Sequence, residues 1–365
     1  MKTQRIMLWG WYGFENLGDD LLLKTMISHL SSDSRMLTIP MRTPYCIENQ
    51  NIKQIGRSYK ALFKGALNND VLIIGPGGLF PFDNPKKVMI YLCITLLWKM
   101  LGRKVFFFGV GISERMNPLS SRIWNAIAQK SDLFITRSPG VVEKLNIRES
   151  SRIHTMTDTV FASDFKFKEC ECENRIAIFI ANLEQPGMEK EYQKVVKTWQ
   201  DTVAALLNKG FLVDLFAFTK KTDDRLASDI VAAFRKRGGV RTICYEDAFD
   251  AIADLKRYKI TISMRFHALV LSLLAEVPTV PIAYGHKTYS LAEKSGLSEY
   301  AMIWNNFQKE YYGYTRDMEA DELLQKVDSL ILQHDEVKEK MKQSTEDLKA
   351  SARDAMNQLL TLVDL

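Results

Sequence analysis

The sequence has 365 residues, which is enough for two domains of about 150 residues, each with its own buried core. Charged residues make up 25% and hydrophobic residues 46% of the chain, a globular composition that excludes a disordered or fibrous protein. The formal net charge of +5 is local, because the segment from Lys53 to Lys104 holds nine Lys or Arg and two acids. We expect no nucleic-acid partner.

The cysteines and the amino terminus predict a reduced, cytoplasmic protein. Five cysteines are an odd number in a long chain and do not indicate a disulfide framework. Cys170 and Cys172 lack the spacing and the second pair of a zinc site, so we predict no metal site. The first residues lack the apolar core of a signal peptide. The longest apolar run, residues 88–98, is shorter than the ~20 residues of a membrane-spanning helix.

Short apolar runs alternate with amphipathic segments along the first half of the chain. The predicted strands are RIMLWGW, RMLTI, VLIIG, KVFFFGVG and LFITR. The predicted helices between them are DDLLLKTMISHL, KVMIYLCITLLWKML and PLSSRIWNAIAQKS. Strands that are apolar throughout, rather than alternating, favour a parallel sheet covered on both faces.

The same pattern begins again after the polar stretch 166–174. Its predicted strands are RIAIFI, FLVDLFAF, VRTICYE, KITISMR and TVPIAY. We therefore predict an α/β protein with two Rossmann-like, doubly wound domains facing a cleft. The N-terminal domain covers residues 1–168 and the C-terminal domain residues 169–334. Residues 335–365 form a C-terminal helix whose apolar face we expect to pack back on the N-terminal domain.

The first glycine-rich loop, GWYGFENLGDD, follows the first strand and opens a helix. Open α/β sheets bind ligands beyond the carboxyl ends of their strands, which makes this loop a candidate site. Its spacing is not GxGxxG, and its acids, Asp19 and Asp20, suit a sugar hydroxyl better than a pyrophosphate. We expect Tyr12 and Asn16 to contact such a sugar. A turn in which Asp19 only caps the helix is the alternative.

A second glycine-rich turn, GPGGLFPFDN, follows the strand VLIIG. Gly77 and Gly78 allow a ligand to approach the backbone closely, and we place them on the same sugar-binding side. A close-packed turn without a ligand is the alternative.

Two predicted strands end in arginine. Arg137 follows LFIT, and Arg265 follows TISM. Because an unpaired buried charge is very costly, each cation must meet water, an acid or an anionic ligand. The guanidinium matches carboxylate and phosphate, and the helix start after Arg265 adds amide donors. The pattern predicts an anion site.

His267 lies in the first turn of the helix after Arg265. A bound anion would favour its protonated form, so we predict a general acid in the ligand complex. A structural, hydrogen-bonding histidine is the alternative. The next predicted strand ends in Tyr284 and Lys287, which add donors to the same cleft.

In their order along the chain, GWYGFENLGDD, GPGGLFPFD, TRSPG and ISMRFHAL resemble the motifs of the polysaccharide pyruvyl transferases. The resemblance runs from about Gly10 to Leu297, with Pro76 in place of a family glycine. It implies a GT-B-like fold and the transfer of pyruvate from phosphoenolpyruvate to two sugar hydroxyls, as a cyclic ketal with release of phosphate. It also implies a place in capsule, exopolysaccharide or cell-wall glycan biosynthesis.

The resemblance assigns roles to the candidate residues. His267 matches the family's catalytic histidine, which would protonate the methylene carbon of the donor. Asp19 or Asp20 would be the base for the hydroxyls. Arg137, Arg265, Lys287 and Tyr284 would bind the donor. The reaction that the resemblance implies uses phosphoenolpyruvate as its donor substrate, and we expect it to need no metal and no cofactor.

Two other hypotheses about the function remain. A glycosyltransferase of the same architecture would use a nucleotide sugar, with Glu293 on the ribose. The second alternative is a non-catalytic, two-lobed binding protein, in which His267 would have no catalytic role. The basic residues around the apolar run 88–98 also suggest peripheral contact with the inner face of a membrane, where a lipid-linked glycan acceptor would lie. A core helix with a solvated basic face is the alternative there.

Overall fold

The computed structural model describes residues 3–44, 47, 49–80, 83–113, 116–138, 140–183, 189–304 and 319–365. The chain forms two compact units. Unit 1 contains residues 1–14, 19–164 and 348–365, and unit 2 contains residues 15–18 and 165–347. Each unit is therefore assembled from separate stretches of the chain, whereas the sequence predicts a serial division after residue 168.

Unit 1 is built on one parallel sheet. Its strands are β1 (Gln4–Trp9), β2 (Arg35–Met41), β3 (Ile52–Gly56), β4 (Val71–Ile74), β5 (Gly77–Phe80), β6 (Lys104–Ile112), β7 (Leu133–Thr136) and β8 (Ile153–Thr155). Its helices are α1 (Leu17–Leu30), α2 (Tyr59–Asn68), α3 (Pro85–Met100), α4 (Pro118–Lys130) and α5 (Val141–Lys144), with a 3-10 helix at Thr159–Ala162. The strand order is β3-β2-β1-β4-β6-β7-β8, and β5 pairs with β6. The order reverses between β1 and β4, which marks the ligand-binding end of such sheets.

Unit 2 repeats this architecture. Its strands are β9 (Glu173–Ile180), β10 (Leu212–Ala217), β11 (Val240–Ile243), β12 (Tyr258–Ser263), β13 (Thr279–Ala283) and β14 (Met302–Ile303). Its helices are α6 (Glu189–Asn208), α7 (Thr222–Val231), α8 (Tyr245–Ile252), α9 (Phe266–Leu274), α10 (His286–Lys294) and α11 (Ala320–Leu332), with 3-10 helices at Ala232–Phe234 and Leu255–Arg257. The parallel order is β11-β10-β9-β12-β13-β14, with the switch between β9 and β12.

The last helix, α12 (His334–Asp364), begins in unit 2, and its second half belongs to unit 1. Within unit 1, the Thr157 hydroxyl donates to the carbonyl of Leu348 at 2.8 Å, and Lys104 Nζ donates to the carbonyl of Leu362 at 2.9 Å. Met356, Leu359 and Val363 are buried, as the apolar periodicity of this segment predicts.

The predicted fold class, two Rossmann-like α/β domains, is confirmed. Every residue of β4 and of β7 is buried, as expected of central parallel strands. The expectation of five strands in the first half missed three strands: β3 (IKQIG) is a half-exposed edge strand, β5 (GGLF) begins with two glycines, and β8 (IHT) has only three residues. The predicted strand VRTICYE is wrong at its end, where Tyr245 begins α8.

Helices α2, α3 and α4 pack on one face of the unit 1 sheet. Their inner residues share a core with β1, β4, β6 and β7; they include Leu62, Ala66, Val88, Tyr91, Ile94, Trp98, Ile123, Trp124 and Ile127. The apolar run 88–98 thus lies in α3, with one side in this core. In the part of the chain that the structure describes, no helix is long and apolar enough to cross a membrane.

Candidate functional site

In unit 2, Arg265 follows β12 at the topological switch point and is the N-cap residue of α9. Its guanidinium makes a two-armed ion pair with Asp223, whose side chain is fully buried. The Asp223 carboxylate also accepts three backbone N–H bonds, from Asn182 at 2.9 Å, Phe218 at 3.2 Å and Thr219 at 3.0 Å. This carboxylate is thus held in place by four groups, and it balances most of the charge of Arg265 within the protein.

Tyr284, after β13, belongs to the same cluster. Burial alone would lower the pKa of Arg265, but the Asp223 carboxylate outweighs burial and raises that pKa above its usual value. Burial raises the pKa of the Tyr284 hydroxyl, and the nearby guanidinium of Arg265 opposes part of that rise. At neutral pH the guanidinium of Arg265 is therefore charged and the hydroxyl of Tyr284 is neutral.

His267 occupies the second position of α9 and lies against the glycine-rich loop. Residues 15–18 are part of unit 2: the N–H of Leu17 donates to the carbonyl of Phe218 at 2.9 Å, and the N–H of Lys220 donates to that of Glu15 at 3.1 Å. A Cβ atom at Gly18 would lie 2.1 Å from Nδ1 of His267. Only glycine at position 18 permits this imidazole position.

Two helices of unit 2 begin beside each other without a side-chain cap. α9 starts after Arg265, whose side chain makes no capping hydrogen bond, and α10 starts after Gly285, which has no side chain to cap with. Lys287, in the first turn of α10, is exposed and lies 5.3 Å from the ring centroid of Phe266, the first residue of α9. Amide dipoles, Lys287 and His267 thus favour negative charge at this corner.

In unit 1, Arg137 follows β7 and forms an ion pair with Asp158. Both side chains are buried, and Asp158 also caps the 3-10 helix through the N–H of Val160 at 3.0 Å. The guanidinium lies over glycines: Cβ atoms at Gly78 and Gly111 would lie 3.6 Å and 3.3 Å from its nitrogens. Gly78 is exposed, so this arginine borders an open stretch of backbone.

The remaining predicted residues have different surroundings. Tyr12 is fully buried, and its hydroxyl donates to the carbonyl of Gly75 at 2.9 Å. The Asn16 side chain accepts the N–H of Gly18 at 3.0 Å and so shapes its own loop. Asp19 and Asp20 lie in the first turn of α1, and Asp20 is buried. A Cβ atom at Gly77 would lie 3.6 Å from Oδ1 of Asp19, so these two residues are neighbours in space.

Sequence reasoning missed an aromatic and cationic cluster in unit 1. The exposed ring of Trp11 stacks on Phe14 with centroids 3.9 Å apart and an angle of 11°. Arg57, after β3, lies 4.1 Å from the ring of Trp9 and 5.0 Å from that of Trp11, and Arg42 lies 5.2 Å from the ring of Phe14. The three aromatic residues of GWYGF were the available signal, but the arginines come from other strand ends.

The sequence also did not identify Asp223 as the partner of Arg265, because the two residues lie 42 positions apart along the chain. Among the residues with described positions, no group of three or more His, Cys, Asp or Glu side chains has the arrangement of a metal site.

Comparisons with known structures give the fold, and a sequence profile gives the family. No curated protein sequence matches the chain. A UDP-N-acetylglucosamine 2-epimerase from Rickettsia bellii shares 11% identity at a TM-score of 0.60, covering 99% of this chain and 97% of that one. A Listeria monocytogenes protein described as such an epimerase shares 10% at 0.64, covering 100% and 96%. The spinosyn forosaminyltransferase SpnP shares 10% at 0.59, covering 100% of both chains.

Identities this low establish the fold alone, which is of the GT-B type with two parallel-sheet α/β domains. The family evidence comes from the sequence. The profile named polysaccharide pyruvyl transferase matches residues 16–286, from the glycine-rich loop to the first residue of α10. Because this match covers most of the chain and includes Arg137, Arg265 and His267, the protein belongs to the polysaccharide pyruvyl transferase family.

Proposed function

We propose that the protein is an enzyme that transfers pyruvate from phosphoenolpyruvate to two hydroxyls of a sugar, forming a cyclic ketal and releasing phosphate. Family membership supports this chemistry. We place the reaction in the cytoplasm, in the biosynthesis of a capsule, exopolysaccharide or cell-wall glycan, with phosphoenolpyruvate as a donor substrate and no further cofactor.

The observation that carries the donor assignment is the anion-favouring corner of unit 2. Two uncapped helix starts, α9 and α10, lie there with Lys287 and His267. Phosphoenolpyruvate carries a phosphate and a carboxylate on the same carbon, so it needs several donors of positive character close together. Arg265 contributes hydrogen-bond donors and holds Tyr284, while Asp223 balances its charge. Arg137 remains a proposed donor ligand from unit 1.

The proposed chemistry begins at His267. The protonated imidazole gives its proton to the methylene carbon of the donor, and the electrons of the double bond form the new C–H bond. The carbon that bears the phosphate becomes electrophilic, and the first sugar hydroxyl adds to it while a carboxylate, Asp19 or Asp20, takes the hydroxyl proton. The C–O bond to phosphate then breaks and phosphate leaves. The second hydroxyl closes the ketal and passes its proton to the neutral imidazole of His267, and the carboxylate releases the first hydroxyl's proton to solvent.

For the acceptor we propose the carboxyl edge of the unit 1 sheet. Gly78 offers exposed backbone near Arg137, and the buried Gly77 lies near Asp19. The exposed side chain of Trp11 offers an aromatic contact for a sugar ring. Tyr12 and Asn16 support this site by holding the loop, since their polar groups bond to Gly75 and Gly18.

The test is a phosphate-release assay with phosphoenolpyruvate and a panel of galactose, mannose and N-acetylhexosamine acceptors, free and lipid-linked. We expect acceptor-dependent phosphate release, and mass spectrometry should find the product heavier by one pyruvate ketal. Release of a nucleotide from a nucleotide sugar, without turnover of phosphoenolpyruvate, would instead indicate a glycosyltransferase. Neither activity across the panel would leave the two-lobed binding protein as the better description.

A further inference from the structure

The outer surface of helices α2, α3 and α4 in unit 1 has an unusual charge composition. These three helices contain seven Lys or Arg and no Asp or Glu. The basic residues are Lys60, Lys64, Lys86, Lys87, Lys99, Arg122 and Lys130. By contrast, α6, α7 and α8 of unit 2 contain nine acids and four bases. The helix layer of unit 1 is therefore a surface of one sign.

The same surface is apolar. It carries seven of the twelve exposed large hydrophobic side chains of the described residues. These are Phe63, Leu67, Met89, Leu96, Met100, Leu101 and Leu119. Single exposed apolar residues are ordinary, but their concentration on one layer marks an interaction surface.

The exposed positions of α3 follow one stripe of the helix. Lys86, Met89, Cys93, Leu96 and Met100 are exposed, at spacings of three and four residues. The opposite side, with Tyr91 and Trp98, is in the core. The sequence alone therefore left this helix ambiguous because it is apolar on both sides.

Not every cation of this region is available to a partner. Lys99 is paired with Asp132, Arg103 with Asp70, and Lys104 Nζ donates to a backbone carbonyl. Lys60 and Lys64 on α2 and Lys86 on α3 are exposed and stand beside the apolar residues of their own helices. The cations that matter are thus those on the helix layer, and they differ from most of those that flank the apolar run in sequence.

From this surface we infer that the α2–α4 layer binds the surface of a bilayer that contains anionic lipid. Apolar side chains enter the headgroup region while lysines meet the anionic headgroups. A second copy of the chain fits less well, because a symmetric contact through this layer would place cations opposite cations. The inference goes beyond the proposed reaction and does not depend on it, since binding requires neither donor nor acceptor.

The test is co-sedimentation of the full chain with vesicles of phosphatidylglycerol and phosphatidylcholine, against vesicles of phosphatidylcholine alone. We expect binding only to the anionic vesicles, and its loss at high salt. Lys60→Gln with Lys64→Gln should weaken binding roughly thirtyfold, at the cost per charge typical of such surfaces. Leu67→Ser with Met100→Ser should weaken it by roughly tenfold or more.

Matched controls lie in unit 2. Lys190→Gln with Lys236→Gln removes two exposed lysines, and Leu212→Ser with Leu332→Ser removes two exposed leucines. These variants should bind as the parent protein does, and all four should turn over a free sugar acceptor equally. Equal binding to both kinds of vesicle, or equal losses in the controls, would overturn the inference. So would a dimer of the parent chain that Leu67→Ser with Met100→Ser dissociates, because the layer would then be a self-interface.

Discussion

Arg137 in unit 1 and Arg265 in unit 2 occupy equivalent places after a buried strand, but their carboxylate partners are held differently. Asp223 accepts three backbone N–H bonds in addition to the guanidinium of Arg265. Asp158 pairs with Arg137 and caps a 3-10 helix by accepting the N–H of Val160. The presence of an arginine at a strand end therefore does not show how much positive charge is available to a ligand. The carboxylate beside it decides how much of that charge is left for a ligand.

The largest effect should come from His267, which tests whether the unit 2 cluster carries the chemistry. We expect His267→Ala to lower kcat about 10²–10⁴-fold, the usual contribution of a general acid. His334→Ala is the matched control, since His334 bonds to the carbonyl of Lys259 at the start of β12, and His267 follows the end of that strand. If both variants keep full phosphate release, the general-acid role of His267 is wrong.

The comparison of the two ion pairs can be made directly by Asp223→Asn and Asp158→Asn. We expect Asp223→Asn to cost about 3–5 kcal/mol in free energy of unfolding, because a buried arginine and three N–H groups lose their anionic acceptor. Asp158→Asn also breaks a buried ion pair, so we expect a cost of the same order, about 3–5 kcal/mol, with the three backbone donors placing Asp223→Asn at the upper end. Urea titrations of both variants measure the difference. Equal costs would mean that the backbone donors around Asp223 add nothing.

Gly18→Ala tests the contact that positions His267. The added methyl group would overlap the imidazole, so we expect kcat to fall on the order of 10²-fold with little change in the KM for phosphoenolpyruvate. Gly56→Ala is the control, because a Cβ atom there meets open space. Gly18→Ala should also lower the thermal unfolding temperature, because the imidazole must move, so kcat is compared well below the unfolding temperature of both variants. A Gly18→Ala enzyme with normal kcat would show that His267 need not occupy this position.

The smallest effect should be that of Trp11. We expect Trp11→Ala to raise the KM for the acceptor about threefold to tenfold and to leave that for phosphoenolpyruvate unchanged, because one aromatic stacking contact is lost. Trp11→Phe keeps a ring on Phe14 and should retain most of the affinity. A rise in the KM of the donor instead would move Trp11 out of the acceptor site.

The sequence predicts the strands of the fold correctly where those strands are fully buried. VLII and LFIT are apolar at every position because parallel strands in the middle of a sheet have no solvent face. IKQIG was missed because an edge strand needs no such pattern. The loop residues 15–18 were assigned to the first domain, and no local signal shows that their backbone bonds go to Phe218 and Lys220.

The sequence identified residues of the candidate site by their type, but it did not show which side chains pair with each other. A cation after an apolar strand identified Arg265, since such a charge needs a partner. The partner itself, Asp223, lies in the first turn of another helix, where an acid is ordinary helix chemistry. The approach of Gly18 to His267 joins residues far apart in sequence and follows from the tertiary fold alone.

The division of the chain between the units has a consequence for biosynthesis. Residues 348–365 belong to unit 1 but leave the ribosome after all of unit 2. The surface that receives Met356, Leu359 and Val363 therefore stays uncovered while about half of the chain is still being made. The unit that is synthesised first is completed last, so part of its apolar surface is exposed to solvent during translation.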